Sequence, residues 1–468
     1  MHYARAGLTL AHYDARAHLV VARRIFDSLT PGWQQIGAVW LPLPHLLNAL
    51  PIQIDLLYRT GWSGVAISIA SMAVAAWAIA SLVHTTTGSV TGGIVAVTIL
   101  MLNPDVLYLQ STPMTEPLLF GTTFLAAALV ARWLDGDPRG STRVPGWALV
   151  AACLTRYEAW PITAALIAAA LLVLLRRGFP VRDAIHATRR LAAWPLWTII
   201  AFMLHSRLTI GEWFVSGGFF VAQNQAALGH PMVAWHQVWD GLFTLTGSVL
   251  PRIALAAALL VAAAFAKSRQ RASLLTVLTL AACAALPWYA YYEGHPLRLR
   301  YDVPLVAAAA AIAGAGIAVL PRRARALVAV IVIAAAVWQA EPFDAKAPVI
   351  TESQREARNQ IGRRTVTAYL QAHWDGQPIL MSMGSLAHYM QDLSHAGFAI
   401  HDFVHEGNGE LWQTALISPR PFVEWIVVEE HAEGGDVLYH QAPSFFDGYD
   451  RVAEGGGVAL WERKRGER

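Results

Sequence analysis

Over its first 340 residues the chain alternates long apolar runs with short polar links. The runs cover residues 62–83, 89–109, 118–133, 191–208, 249–266, 272–291, 303–320 and 326–340. A helix needs about 20 such residues to cross a bilayer. Residues 145–175 are apolar except for Arg156-Tyr157-Glu158 at their middle, which predicts a hairpin of two broken or tilted helices. About ten crossings follow from this pattern. The second run is interrupted near its end by Asn103-Pro104-Asp105.

The two ends of the chain read differently. Asp14 opens a helix predicted over residues 15–28, in which Leu19, Ala22, Arg23 and Phe26 recur at helical spacing. A loop follows, with Trp33, Trp40 and His45 among its residues. Past residue 341 the apolar runs stop. Residues 351–374 carry a charged amphipathic helix pattern, and 378–384 read as a strand leading into a helix through His388 and Met390. Residues 423–429 read as a second buried strand and 449–462 as a terminal pair around Gly455-Gly456-Gly457. The predicted fold is an α-helical polytopic membrane protein with a small C-terminal α/β domain outside the cytoplasm. Its expected parts are an outer loop with amphipathic helices at 1–61, a transmembrane domain at 62–340 and the α/β domain at 341–468.

Composition supports the membrane assignment. The chain is 55% hydrophobic and 14% charged, whereas soluble domains are about 25% charged. A net charge of +3 is too small to point to nucleic acid. Cys153 and Cys283 both lie inside apolar runs, which excludes a disulfide framework. Residues 1–14 lack the apolar core of a cleavable signal.

Basic residues set the expected orientation. They gather at Arg139 and Arg143, at Arg176 to Arg190, at Lys267 to Arg271 and at Arg322 to Arg325. Basic loops stay in the cytoplasm. Asp14, the Glu116 link, Arg156-Tyr157-Glu158, the loop 206–248, the segment His295 to Tyr301 and the C-terminal domain are then all expected on the other side. Each of these charges has a structural role open to it. Asp14 would serve as a helix cap, Glu116 as a helix-start acid, Arg156 and Glu158 as an ion pair, and Arg298 and Arg300 as interface anchors. Charge at membrane depth is costly, however, and its convergence on one face points to a reaction site.

The same residues resemble the GT-C superfamily of membrane glycosyltransferases, in particular the family 39 group of protein O-mannosyltransferases and lipid A aminoarabinose transferases. The resemblance runs over most of the chain. It rests on Asp14 in the first outer loop, Glu116 after a later outward span, the Thr155-Arg156 turn, Arg300-Tyr301-Asp302-Val303-Pro304 and the soluble outer domain. It implies transfer of a sugar, with inversion, from a polyprenyl or dolichyl monophosphate carrier to a protein, lipid or glycan acceptor outside the cytoplasm. Asp14 would then be the general base and Glu116 the second acid. Arg156, Arg298 and Arg300 would hold the carrier phosphate, and Glu158, Tyr157, His295, Tyr301, Trp40 and His45 would line the substrate pocket.

The resemblance also implies that the loop 212–240 covers the acceptor, and that a further span precedes residue 1. Relatives carry a paired Asp-Glu in the first loop, whereas here Ala15 follows Asp14. His12, Asp14 and His18 are ligand types, but the mannosyltransferase side of the superfamily works without a catalytic metal, so none is expected. A different class, a permease or lipid flippase, would also bury Arg and Glu along a path. It would favour inverted repeats, and the sequence has none. A chain whose outer domain serves only as a binding module is a further alternative.

Overall fold

The computed structural model describes residues 2–214, 223–431 and 436–464. The chain is an integral membrane protein. Among the described residues, eight helices are long and apolar enough to cross a bilayer: Trp62–Thr87, Glu116–Asp135, Ala159–Arg176, Val181–Ile210, Val249–Lys267, Arg269–Tyr292, Leu299–Val319 and Arg322–Ala340. Two of the ten expected crossings form shorter helices, Val90–Leu102 and Arg143–Cys153. The first of these stops early because Asn103 caps a new helix, its Oδ1 accepting from the backbone N–H groups of Asp105 and Val106 at 3.1 Å. Pro104 occupies the first position of that helix, where its missing N–H costs nothing. The expected hairpin does break at Arg156-Tyr157-Glu158, between Cys153 and Ala159.

Small residues let the spans approach closely. An ideal Cβ on Gly92 would lie 2.6 Å from the Gly314 carbonyl oxygen, and one on Gly121 would lie 2.8 Å from that of Ser71. In a bilayer such contacts carry association, because lipid leaves little hydrophobic drive between helices. Gly314→Leu is therefore expected to overpack the contact with the Val90–Leu102 helix and cost about 3 kcal/mol, at the upper end for overpacked cores. A drop in the thermal midpoint of the detergent-solubilised protein checks this; an unchanged midpoint contradicts it.

Among the described residues the C-terminal part is a five-stranded mixed sheet. β1 (Ile379–Met381) lies between β2 (Phe403–Val404) and β3 (Trp425–Glu429), parallel to both. β5 (Val458–Arg463) runs antiparallel to β3 and to β4 (Tyr449–Gly455). The helix Met383–Leu393 follows β1 as expected. The single helix expected over 351–374 is instead three, Pro348–Ser353, Ala357–Gly362 and Arg364–His373. The break at Gly362 places its backbone against Gly456, where a Cβ would lie 2.5 Å from the Gly456 nitrogen.

The first 61 residues join the two parts. The helix Tyr13–Arg23 buries Ala17, Leu19, Val20 and Ala22 in one apolar core with Leu386, Met390 and Leu393 of the Met383–Leu393 helix and with Trp425 and Val427 of β3. Arg16 reaches Asp392 at 2.5 Å across the same interface. At the far end of the bundle, Arg177 pairs with Asp135, Arg139 with Asp183 at 2.8 Å, and Ser273 with Asp135 at 3.3 Å. These contacts tie together the basic loops. They lie at the C-terminus of the 20-residue helix that begins at Glu116, about 30 Å from that acid.

Candidate active site

Three elements bring acids to one end of the bundle. Glu116 is the first residue of its helix and Glu158 directly precedes Ala159–Arg176, so both sit where helix N-termini are positive. Asp14 is the second residue of Tyr13–Arg23. It is not the cap of that helix, a correction to the sequence reading. The cap is His12, whose Nδ1 accepts from the Asp14 backbone N–H at 3.1 Å.

Two arginines sit among these acids. Arg156 binds Glu158 through Nε and Nη2, the closest contact being 2.6 Å, and reaches Glu116 at 3.0 Å and the Thr115 hydroxyl at 2.9 Å. Arg300 pairs with Asp14 through Nη2 and reaches the same Glu116 oxygen at 3.4 Å through Nη1. Asp14, Glu116, Glu158 and Arg300 are all buried. Removing one partner of a buried pair costs about 3–5 kcal/mol, yet apolar residues in place of the whole set are often no less stable. Stability alone gives no reason to bury these groups together. Among the described residues, two of their fully buried atoms have no hydrogen-bond partner: Arg300 Nε and Glu116 Oε2. One is a free donor and the other a free acceptor, both in the same cluster.

The other predicted residues surround it. Tyr301 lies beside Arg300, whose guanidinium carbon is 4.9 Å from the ring centroid, and His295 packs on Tyr301 with centroids 5.3 Å apart. Arg298 is buried, and its carbonyl accepts from the Tyr291 hydroxyl at 3.0 Å. Tyr157 turns away from the acids: its hydroxyl donates to the Ala38 carbonyl at 3.1 Å and its ring packs on Trp160, Phe202 and Phe214. Residues 215–222 of the loop expected to cover the acceptor lie outside the described residues, and its later part is the helix Pro231–Thr246. Among the described residues no group of three His, Cys, Asp or Glu side chains is placed to hold a metal ion.

Trp40 and His45 pack against His18, a residue that the resemblance does not place at the site. His18 lies four residues after Asp14 on the same helix, its Nδ1 3.1 Å from His45 Nε2 and its ring 4.1 Å from that of Trp40. Burial, with Arg24 nearby, pushes the His45 imidazole down to about 3; burial and then His45 push His18 well below its usual range. Both rings fold neutral, while the unfolded chain takes up their protons below about pH 6.5. Their contribution to stability is thus present above pH 6.5 and lost as pH falls. His45→Gln removes one such group. Between pH 7 and pH 5 wild type is expected to lose about 2 kcal/mol more stability than this variant, at 1.36 kcal/mol per unit. Thermal midpoints over that range check it; parallel curves contradict it.

No protein-family profile and no curated protein sequence matches the chain. Its architecture, apolar spans below a small mixed sheet with a charged cluster between them, does match solved membrane proteins. The crystal structure of ArnT from Cupriavidus metallidurans bound to undecaprenyl phosphate aligns with a TM-score of 0.57 and 12% identity, covering 98% of this chain and 96% of that one. The apo structure of ArnT from the same organism aligns at 0.58 and 11% identity, covering 96% and 92%. The chain therefore shares the fold of these two structures, the fold that the resemblance implied.

Proposed function

We propose that the protein is an integral membrane glycosyltransferase that moves a hexosyl or pentosyl unit from a polyprenyl-phosphate carrier to an acceptor hydroxyl, with inversion. The observation that carries this is the buried Arg300 shared between Asp14 and Glu116, with its Nε and Glu116 Oε2 still free to bond. A guanidinium fork with a spare N–H suits a phosphate oxygen, and a spare carboxylate oxygen suits a sugar or acceptor hydroxyl. The fold adds support, since ArnT was crystallised with undecaprenyl phosphate.

In this mechanism Asp14 takes the proton of the acceptor hydroxyl. The acceptor oxygen bonds to the anomeric carbon while the bond from that carbon to the phosphate oxygen breaks. The electron pair leaves with the carrier phosphate, and Arg300, Arg298 and Arg156 offset its added charge. Glu116 orients acceptor or sugar. Trp40, His45, His295, Tyr301 and Glu158 shape the pocket, and Tyr157 supports it from outside through Trp160, Phe202 and Phe214. The parts of the chain divide accordingly into an outer catalytic segment at 1–61, a membrane domain at 62–340 and a C-terminal domain at 341–468. The site end faces away from the cytoplasm, in keeping with the basic loops at the opposite end.

The donor half of this account has a direct test. In nanodiscs the purified protein is expected to bind undecaprenyl phosphate saturably and to leave undecaprenol, which lacks the phosphate, unbound. Equal retention of the two lipids contradicts a phosphate site.

A further inference from the structure

One acid at the cluster has no role in that mechanism. Glu352 lies in the helix Pro348–Ser353, on the segment that leads from the last span to the C-terminal sheet. It is buried, its side chain 3% exposed. Its Oε2 accepts from the Leu299 backbone N–H at 3.1 Å, inside Arg298-Leu299-Arg300. Its Oε1 faces His12 Nε2 at 3.9 Å, and among the described residues neither atom has a hydrogen-bond partner.

The tautomer of His12 follows from its other nitrogen. Nδ1 accepts from the Asp14 N–H, so in the neutral ring the proton sits on Nε2 and is aimed at Glu352. A shift of about 1 Å turns this contact into a hydrogen bond. One carboxylate therefore bonds the turn that carries Arg300, through Leu299, and faces at 3.9 Å the helix start that carries Asp14, through His12.

We propose that Glu352 is a positioning residue that sets the distance and direction between the Asp14 carboxylate and the Arg300 guanidinium. A carboxylate does this where other acceptors do not, because both of its oxygens accept. The surroundings keep it charged: burial pushes its carboxyl up, but His12, Arg300 and Arg298 outweigh that and hold it below its usual range. The tie also links the C-terminal part of the chain to the chemistry. The assignment rests on the transferase reading for its catalytic consequence, but the tie itself stands apart from it.

A double-mutant cycle tests it. Glu352→Gln keeps the volume but turns one of the two oxygens into an N–H donor. That donor must face either the Leu299 N–H or the His12 N–H, so one of the two ties is lost. His12→Asn keeps a good helix cap through its Oδ1 but no longer reaches Glu352. Glu352→Gln is expected to lower kcat about tenfold, with the donor KM unchanged. In the His12→Asn background the same change is expected to have about a third of that effect or less, because half of the tie is already gone. Equal effects in both backgrounds, or unchanged kcat in Glu352→Gln, overturn the proposal.

Deuterium uptake gives a readout that needs no turnover. Peptides covering residues 11–16 and 297–301 are expected to exchange faster in Glu352→Gln, with the C-terminal sheet unchanged. Uptake equal to wild type at both segments overturns the tie, whether or not the protein transfers sugar. A wild type that releases no carrier from any donor overturns the transferase reading alone, and the uptake result then decides the tie by itself.

Discussion

Asp14→Asn is expected to lower transfer by about 10²–10⁴-fold, the range a positioned general base supplies, while carrier binding stays the same or tightens. The asymmetry comes from the geometry. Arg300 pairs with Asp14 in the structure, so in the proposed mechanism the base and the phosphate clamp would share one guanidinium. An amide at position 14 removes the base but releases that guanidinium toward the phosphate. The fold should tolerate it, since Arg300 keeps Glu116 as a partner and the amide keeps the shape of the carboxyl. Turnover and undecaprenyl-phosphate affinity measured on the same preparation check both halves. Wild-type turnover removes Asp14 from the mechanism. Loss of binding together with turnover makes it part of the phosphate site instead.

Arg300→Lys has the second large effect. Lysine keeps the positive charge that Asp14 and Glu116 require in a buried place, so unpaired acids are avoided. It loses the planar fork and the spare Nε–H. Charge-assisted bonds are worth about 1.5–3 kcal/mol, so carrier affinity is expected to fall about 10- to 150-fold. Titration with undecaprenyl phosphate measures this directly. Unchanged affinity would return Arg300 to a structural role, neutralising two acids.

The acids and arginines of the cluster were legible in the sequence for one reason. Charged residues flanking apolar runs are rare enough to stand out, and Glu116, Arg156, Glu158 and Arg300 all do. The structure brings these four together with Asp14. Glu352 gave no such signal. It sits in a stretch with Arg355, Glu356 and Arg358, where one more acid reads as a solvated helix face, and only the fold reveals that it is buried.

His18 was hidden in a similar way. Its spacing from Asp14 was visible, but its partner His45 comes 27 residues later, through a loop whose path no periodicity records. The spans and the breaks within them followed from the sequence, whereas a break in the C-terminal part did not. Asn103-Pro104 marked one correctly, but the break at Gly362 depends on a close contact with Gly456, far along the chain. Likewise the packing of residues 1–61 on the C-terminal sheet joins segments more than 300 residues apart. Neither segment announces the other.

The most direct test of the account is release of polyprenyl phosphate from a panel of polyprenyl-phosphate sugars, with a crude acceptor extract present. Membranes carrying wild type and Asp14→Asn are compared. Release that depends on acceptor, occurs with one sugar class and disappears in the variant is the predicted result, and it identifies the sugar. No release with any donor from a chain that is folded and binds the carrier would contradict the transferase and turn attention to transport of the lipid itself.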